Sequence, residues 1–438
     1  MSAKKGRAFV KVFLAVAICK ILYFVGSRVG RGSSLPGQVA LKVCPGVLNM
    51  LKLPRTIIAV TGSNGKTSTA ELIAHVLKEN GKSVAWNHEG SNQTEGVATL
   101  LLRIVNFKGV VKRDALVLEC DERYARFIFA DVKPSIVVVT NLCRDQLSRN
   151  GHPEFIFDCI QAAIGDDKHL LVLNADDPYV AALGASKDNV VWFGLDREVC
   201  LDPRLSYQGA ALPCYDDGAF CPVCKSRMVY EYRIAGHFGG FNCSSCGHSR
   251  RQPDIEVTGL AFTSLTSAYN LSAAVTAAVT AGIDVEDAVR SLDGYELKGG
   301  RKVSFSAGGR EGTLLISKHE NSLSYNQSMA WVVEQHKPCT VVILVDEISR
   351  KYYTSETSWL WDVDFDILAA ENVLEVVLAG RYSNELMARI AMSAAALDKC
   401  RGITSLADLR EHIEKNGAES VYAITCFSDK AKLLKAFQ

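Results

Sequence analysis

Thr61 to Thr67 reads Thr-Gly-Ser-Asn-Gly-Lys-Thr, a pattern able to hold a nucleotide phosphate. The apolar run TIIAV precedes it and a helical pattern follows, so backbone N–H groups and the helix dipole would face an anion. Gly62 and Gly65 let the backbone approach closely, Lys66 supplies a charge for the β- and γ-phosphates, and Thr67 is suited to magnesium. Asn64 and Ser68 complete the expected ATP-binding loop. It is shorter than G-x-x-x-x-G-K-[ST], because Val60 stands at that pattern's first glycine, and a plain strand-to-helix turn is the alternative.

Carboxylates follow at the ends of later apolar runs. Glu119, with Asp121 and Glu122 behind it, would hold magnesium near the phosphates or form a solvated acidic turn. Asn141, Asp145 and Gln146 in TNLCRDQLSRNG stand at a strand's carboxyl edge, where ligands gather in open α/β sheets. Asn174 and Asp177 in NADDP are either nucleotide contacts or a turn. Cys221, Cys224, Cys243 and Cys246 form C-x₂-C-x₁₈-C-x₂-C, the spacing of a four-thiolate structural zinc site. Closed coordination leaves no open position for catalysis, and neither His248 nor Cys214 is needed as a ligand. Farther on, Glu356, Asp362 and Asp364 sit among aromatics in a stretch that either caps a site, meets a partner or merely starts a helix.

These residues need a scaffold, and the chain has room for several domains in 438 residues. β-Branched runs at 56–60, 115–120, 135–141 and 169–178, with a helix from Thr69 to Glu79, predict a doubly wound α/β domain over 49–299. The pattern breaks for a ribbon at about 200–255 and resumes with an Ala-rich helix near Ser267. A second, Rossmann-like α/β unit over 300–438 is expected from runs at 339–346, 374–381 and 420–427. Residues 1–48 form a basic, apolar segment. Its core, Val10 to Gly26, is interrupted by Lys11 and Lys20, so it is expected as a helix packed on the body or lying on an anionic membrane surface. A net charge of +1 gives no general preference for nucleic acid, and the 14 cysteines, mostly in apolar runs, fit a reducing cytoplasm.

In order, TGSNGKT, Glu119, TNLCRDQLSRNG, NADDP, Tyr269-Asn270 and Arg301 resemble the Mur ligase family. That resemblance implies a central ATP-binding domain, ATP and Mg²⁺ as cofactors beside the ribbon's Zn²⁺, and Asn141, Asn174, Asn270 and Arg301 at the nucleotide. The cysteine ribbon, the RDQ triplet and ETSWLWDVDF narrow it to the branch that amidates lipid II. There ATP phosphorylates the D-glutamate α-carboxylate of the stem peptide, and ammonia from a GatD-like glutaminase subunit attacks the acyl phosphate. Glu356 falls where the family usually has an Asp that orients the partner's histidine, so Lys66 is the expected catalytic cation and Glu356, with Asp362 and Asp364, the carboxylate group facing the partner. The family's Lys-Asn-Pro-Ala-Gly loop reads Lys318-His319-Glu320-Asn321-Ser322 here, and the Asn-Asp-Asn and Ala-Asp-Gly motifs are also replaced. Addition of an amino acid, as by folylpolyglutamate synthetase, a zinc-ribbon ATPase on nucleic acid, and a scaffold subunit are the competing readings.

Overall fold

The computed structural model describes residues 2–29, 33–88, 91–166, 168–202, 205, 216–297, 301–346, 357–392 and 397–437. Its centre is a six-stranded sheet in the order β2-β3-β1-β4-β5-β6. The strands are β1 (Thr56–Thr61), β2 (Val84–Trp86), β3 (Ala115–Glu119), β4 (Ile136–Val139), β5 (Leu170–Asn174) and β6 (Val190–Phe193). All pairings are parallel. β1, β3 and β4 bury nearly every residue, as strands covered on both faces must.

Helix α1 (Ser2–Gly26), α2 (Leu35–Val43) and α4 (Thr94–Ile104) pack together on one side, with Val16, Ala40 and Leu101 in their shared core. Helix α3 (Lys66–Glu79) and the helix Leu265–Thr280 cover the other face through Leu72, Ile73 and Ala274. α3 starts three residues before the expected Thr69, directly at the phosphate loop. Residues 10–26 form a helix packed on the body, with Val12, Ala15, Val16 and Cys19 buried. No helix among the described residues is long and apolar enough to cross a membrane.

Between β6 and the helix Leu265–Thr280 lies the ribbon hairpin of β7 (Val229–Ile234) and β8 (Phe238–Asn242), antiparallel. A second six-stranded sheet follows in the order β13-β12-β11-β14-β10-β9. It comprises β9 (Lys302–Ala307), β10 (Arg310–Ser317), β11 (Cys339–Leu344), β12 (Val373–Ala379), β13 (Cys400–Ile403) and β14 (Ser420–Cys426), all parallel except the β9–β10 hairpin.

Candidate active site

The phosphate loop leaves β1 and enters α3 through a left-handed Gly65, φ 80°. A Cβ on Gly65 would stand 2.2 Å from Asn270 Oδ1, and one on Gly62 2.4 Å from Thr140 Oγ1, so both positions exclude a side chain. Asn141 Oδ1 accepts from the Asn64 N–H at 2.9 Å and its carbonyl from the Ser63 N–H at 2.8 Å, which fixes the loop to the end of β4. No side chain caps the start of α3, so the first-turn N–H groups remain open to an anion.

Lys66 is buried beneath this loop. Its Nζ donates to Gly62 O at 2.5 Å and pairs with Glu122 Oε2 at 3.0 Å. Burial works against the ammonium, but Glu122, Asp145, Glu119 and Asp121 outweigh it and hold its pKa above the usual lysine range. Burial would likewise raise the Glu122 carboxyl, yet Lys66 and Lys318 prevail and hold it low. Asp121 and Glu122 are both buried and do not form a solvated turn. Glu119 presents Oε1 to Asn92 Nδ2 at 2.9 Å, while its buried Oε2 has no partner among the described residues. A bare carboxylate oxygen beside the Thr67 position suits a hard divalent cation, so the donor set fits magnesium.

The C-terminal domain closes over the loop. Lys318 Nζ donates to Ser63 O at 2.6 Å and pairs with Asp145; Asn321 Nδ2 reaches Asp145 Oδ1 at 3.0 Å and Asn64 Oδ1 at 3.1 Å. The Gln146 N–H donates to Glu320 O at 2.9 Å. Burial, and then Lys66 against the pull of Asp145, lowers the Lys318 pKa. Lys66, Thr67, Ser68, Glu119, Arg301 and Lys318 all face one cavity of about 120 Å³. Sequence reasoning pointed to Lys66, Thr67, Ser68, Glu119 and Arg301 there, and to Lys318 only as part of a departing loop. It missed Asn92, Arg149 and the pairing role of Glu122.

Other expected site residues stand behind this wall. Asn270 buttresses Gly65. Asn174 Nδ2 donates to Thr140 O and its Oδ1 accepts from the Asp176 N–H, so it ties strand ends together outside the cavity. Asp177 caps the helix Pro178–Leu183 and accepts from the Leu142 N–H. Asp362 pairs with Arg144 at 3.4 Å, and Asp364 caps a short 3₁₀ turn; neither lines the cavity. Glu356 lies outside the described residues, as do Glu347, the 352–354 triplet and Cys214.

In the ribbon the Sγ atoms of Cys221, Cys224, Cys243 and Cys246 all lie within 4.8 Å of one another. Cys221–Cys246 is 3.7 Å and Cys224–Cys243 3.5 Å. Zn–S bonds of about 2.3 Å in a tetrahedron put sulfurs about 3.8 Å apart, so the thiols fit a closed zinc site. Each knuckle folds back alike: Lys225 N–H to Cys221 O and Gly247 N–H to Cys243 O, both 2.9 Å. His248 Nε2 bonds Pro178 O at 2.9 Å and so faces the body and not the metal position. Arg250–Asp176 at 2.6 Å and Arg144–Asp217 at 2.8 Å anchor the ribbon to the central domain.

A parallel sheet whose uncapped loop-to-helix turn is roofed by a second α/β domain is an architecture able to hold the phosphates of a nucleotide. Residues 60–246 match the Mur ligase middle domain, and residues 319–429 match the MurT ligase C-terminal domain. The chain thus carries the middle domain of a Mur ligase followed by the C-terminal domain of a MurT ligase. It is 28% identical to the lipid II isoglutaminyl synthase (glutamine-hydrolyzing) subunit MurT of Streptococcus pneumoniae, covering 95% of each chain. The subunit of the same name from Staphylococcus aureus is 27% identical over 86% of this chain and 87% of its own. Among solved structures, a pseudomurein peptide ligase type C from Methanothermus fervidus shares the fold, with TM-score 0.62, 20% identity, and coverage of 89% of this chain and 80% of that one.

Proposed function

We propose that the chain is the ATP-using subunit of a lipid II isoglutaminyl synthase. The γ-phosphoryl group of ATP passes to an oxygen of the D-glutamate α-carboxylate, and ADP leaves. Ammonia then attacks the acyl carbon, inorganic phosphate departs with the transferred oxygen, and loss of a proton leaves the carboxamide. The nitrogen comes from a GatD-like glutaminase partner, whose histidine Glu356 would orient.

The observation that carries this reading is the closed phosphate cradle. The open first turn of α3 and Lys66 take the β- and γ-phosphates, while Lys318 and Arg301 approach the same volume from the C-terminal domain. Thr67 and Glu119 would hold Mg²⁺, which when bound neutralises phosphate charge. Gly62 and Gly65 keep the loop backbone close enough to donate. Cys221, Cys224, Cys243 and Cys246 would hold Zn²⁺ as a structural crosslink, away from the reacting atoms. Four cations, Lys66, Arg149, Arg301 and Lys318, and four carboxylates, Glu119, Asp121, Glu122 and Asp145, line the cradle, so a triphosphate would compete with Glu122 for Lys66.

The acyl-phosphate step is tested by running the reaction with substrate labelled with heavy oxygen in the carboxylate. Appearance of the label in inorganic phosphate is expected; its retention in unreacted substrate and water, with amide still formed, would rule the step out.

A further inference from the structure

We propose that the outward face of α1 docks on the anionic leaflet of a membrane, apolar side chains entering the headgroup boundary and flanking basic residues meeting lipid phosphates. Helix α1 is apolar on two sides. The inner side, Val12, Ala15, Val16 and Cys19, is packed on the body. The outer side carries Val10, Phe13, Leu14, Ile21, Phe24 and Val25, all exposed, with Ile21 at 63% and Phe24 at 62%. Their spacing of three, four and seven residues puts them on one stripe, where a helix on the surface of a water-soluble domain would carry polar groups. A contiguous apolar face of this kind marks an interaction surface.

Charge identifies the occupant. No Asp or Glu occurs before Glu71, whereas lysines and arginines run from Lys4 to Lys66 in a chain whose net charge is only +1. Lys11, Arg28 and Lys42 are exposed, as are Lys108, Lys112 and Arg113 in the segment that follows α4. The one acid in that segment, Asp114, is held by Ser83. The cations also lie along the apolar face: Arg28 stacks 3.6 Å above the Phe24 ring, Arg103 4.4 Å above Tyr23, and Lys20 Nζ reaches Arg103 O at 2.7 Å beside the exposed Phe107. Long stems on aromatic rings with charged heads at the rim are suited to the interface of a bilayer. Two copies of this face would set like charges against each other, whereas an anionic leaflet complements them. Lys11 and Lys20 rule out a span, so the helix lies in the plane.

The placement bears on the site. α1 packs on α4, and the turn before α4 holds Asn92, the partner of Glu119. The docking face and the cradle are therefore linked through the single helix α4.

The test is co-sedimentation of the full chain with phosphatidylcholine vesicles, with and without phosphatidylglycerol, and free of any lipid-linked substrate, so the outcome is independent of the ligase chemistry. Binding is expected only with the anionic lipid. A Phe13→Ser, Ile21→Ser, Phe24→Ser variant should partition at least about ten-fold less, with its thermal midpoint and nucleotide affinity unchanged. A Lys11→Glu, Lys108→Glu variant, which leaves the apolar face whole, should lose the preference for anionic vesicles. Equal partition of wild type and either variant would overturn the proposal, as would failure of the wild type to sediment with anionic vesicles. So would a self-associated wild-type chain that the triple variant disperses.

Discussion

Lys66 and Glu122 set the electrostatics of the cradle, and each can be removed by one substitution. Lys66→Ala should lower ADP formation by about 10²–10³-fold, the usual cost of losing one fixed charge on a developing anion. Zinc content should stay unchanged, because the ribbon folds elsewhere. Steady-state kinetics and metal analysis check both halves. Glu122→Gln removes a charge but keeps an acceptor beside Lys66, whose ammonium retains the Gly62 and Ser63 carbonyls and the fields of Asp145, Glu119 and Asp121, so urea denaturation should show a loss of about 1–3 kcal/mol. The pH dependence follows from the signs. The Glu122 pKa is depressed in the fold, so its stabilisation is complete above the unfolded value of about 4.3 and disappears as pH falls through the depressed value. The Lys66 contribution is complete below about 10.4 and is lost only as pH rises through its raised value. Wild type should therefore lose stability on the acid side more steeply than Glu122→Gln. The pair joins residues 56 apart in sequence, which is why Glu122 read only as part of an acidic turn.

At the scale of elements, the strands visible in the sequence were those with long β-branched runs buried on both faces, β1, β3, β4, β5, β11, β12 and β14. β2 and β6 were missed because they are short and partly exposed edge strands, and β9 because its alternating KVSFSA pattern has one solvent face. The loop glycines and the cysteine spacing were legible because local geometry fixes them; Lys318, which reaches Asp145 across 173 residues, was not. NADDP combined both cases, since its turn character was apparent but its use of Asp176 to grip the ribbon was not. Arg250→Ala leaves Asp176 with Tyr269 and the Leu195 N–H as its remaining partners. Hydrogen exchange in β7 and β8 should rise in that variant while α3 stays protected. Unchanged protection of the hairpin would mean that the Arg250–Asp176 pair adds nothing to the other anchors, Arg144–Asp217 and His248–Pro178 among them.

At the scale of the molecule, the central domain and its roof meet through Arg144, which grips Asp217 and Asp362, and through the contacts of Lys318 and Asn321 with the phosphate loop. A cavity of about 120 Å³ is well below the roughly 300–1,000 Å³ of small-molecule pockets, a size for phosphate groups and not for a whole nucleotide. Burial raises the Asp362 pKa, and Arg144 opposes the rise. A carboxyl whose folded value exceeds the unfolded one destabilises the fold as pH climbs through the folded value. Arg144→Ala removes the counterweight, so its deficit against wild type should be larger at neutral pH than at pH about 4, and its radius of gyration should increase in solution scattering. The most direct measurement of the proposed amidation is the product mass after incubating the purified chain with ATP, Mg²⁺, lipid II and free ammonia. Conversion of one stem-peptide carboxylate to a carboxamide, matched by ADP and abolished in Lys66→Ala, is the predicted result; ADP without amide, or addition of an amino acid in place of ammonia, would contradict it.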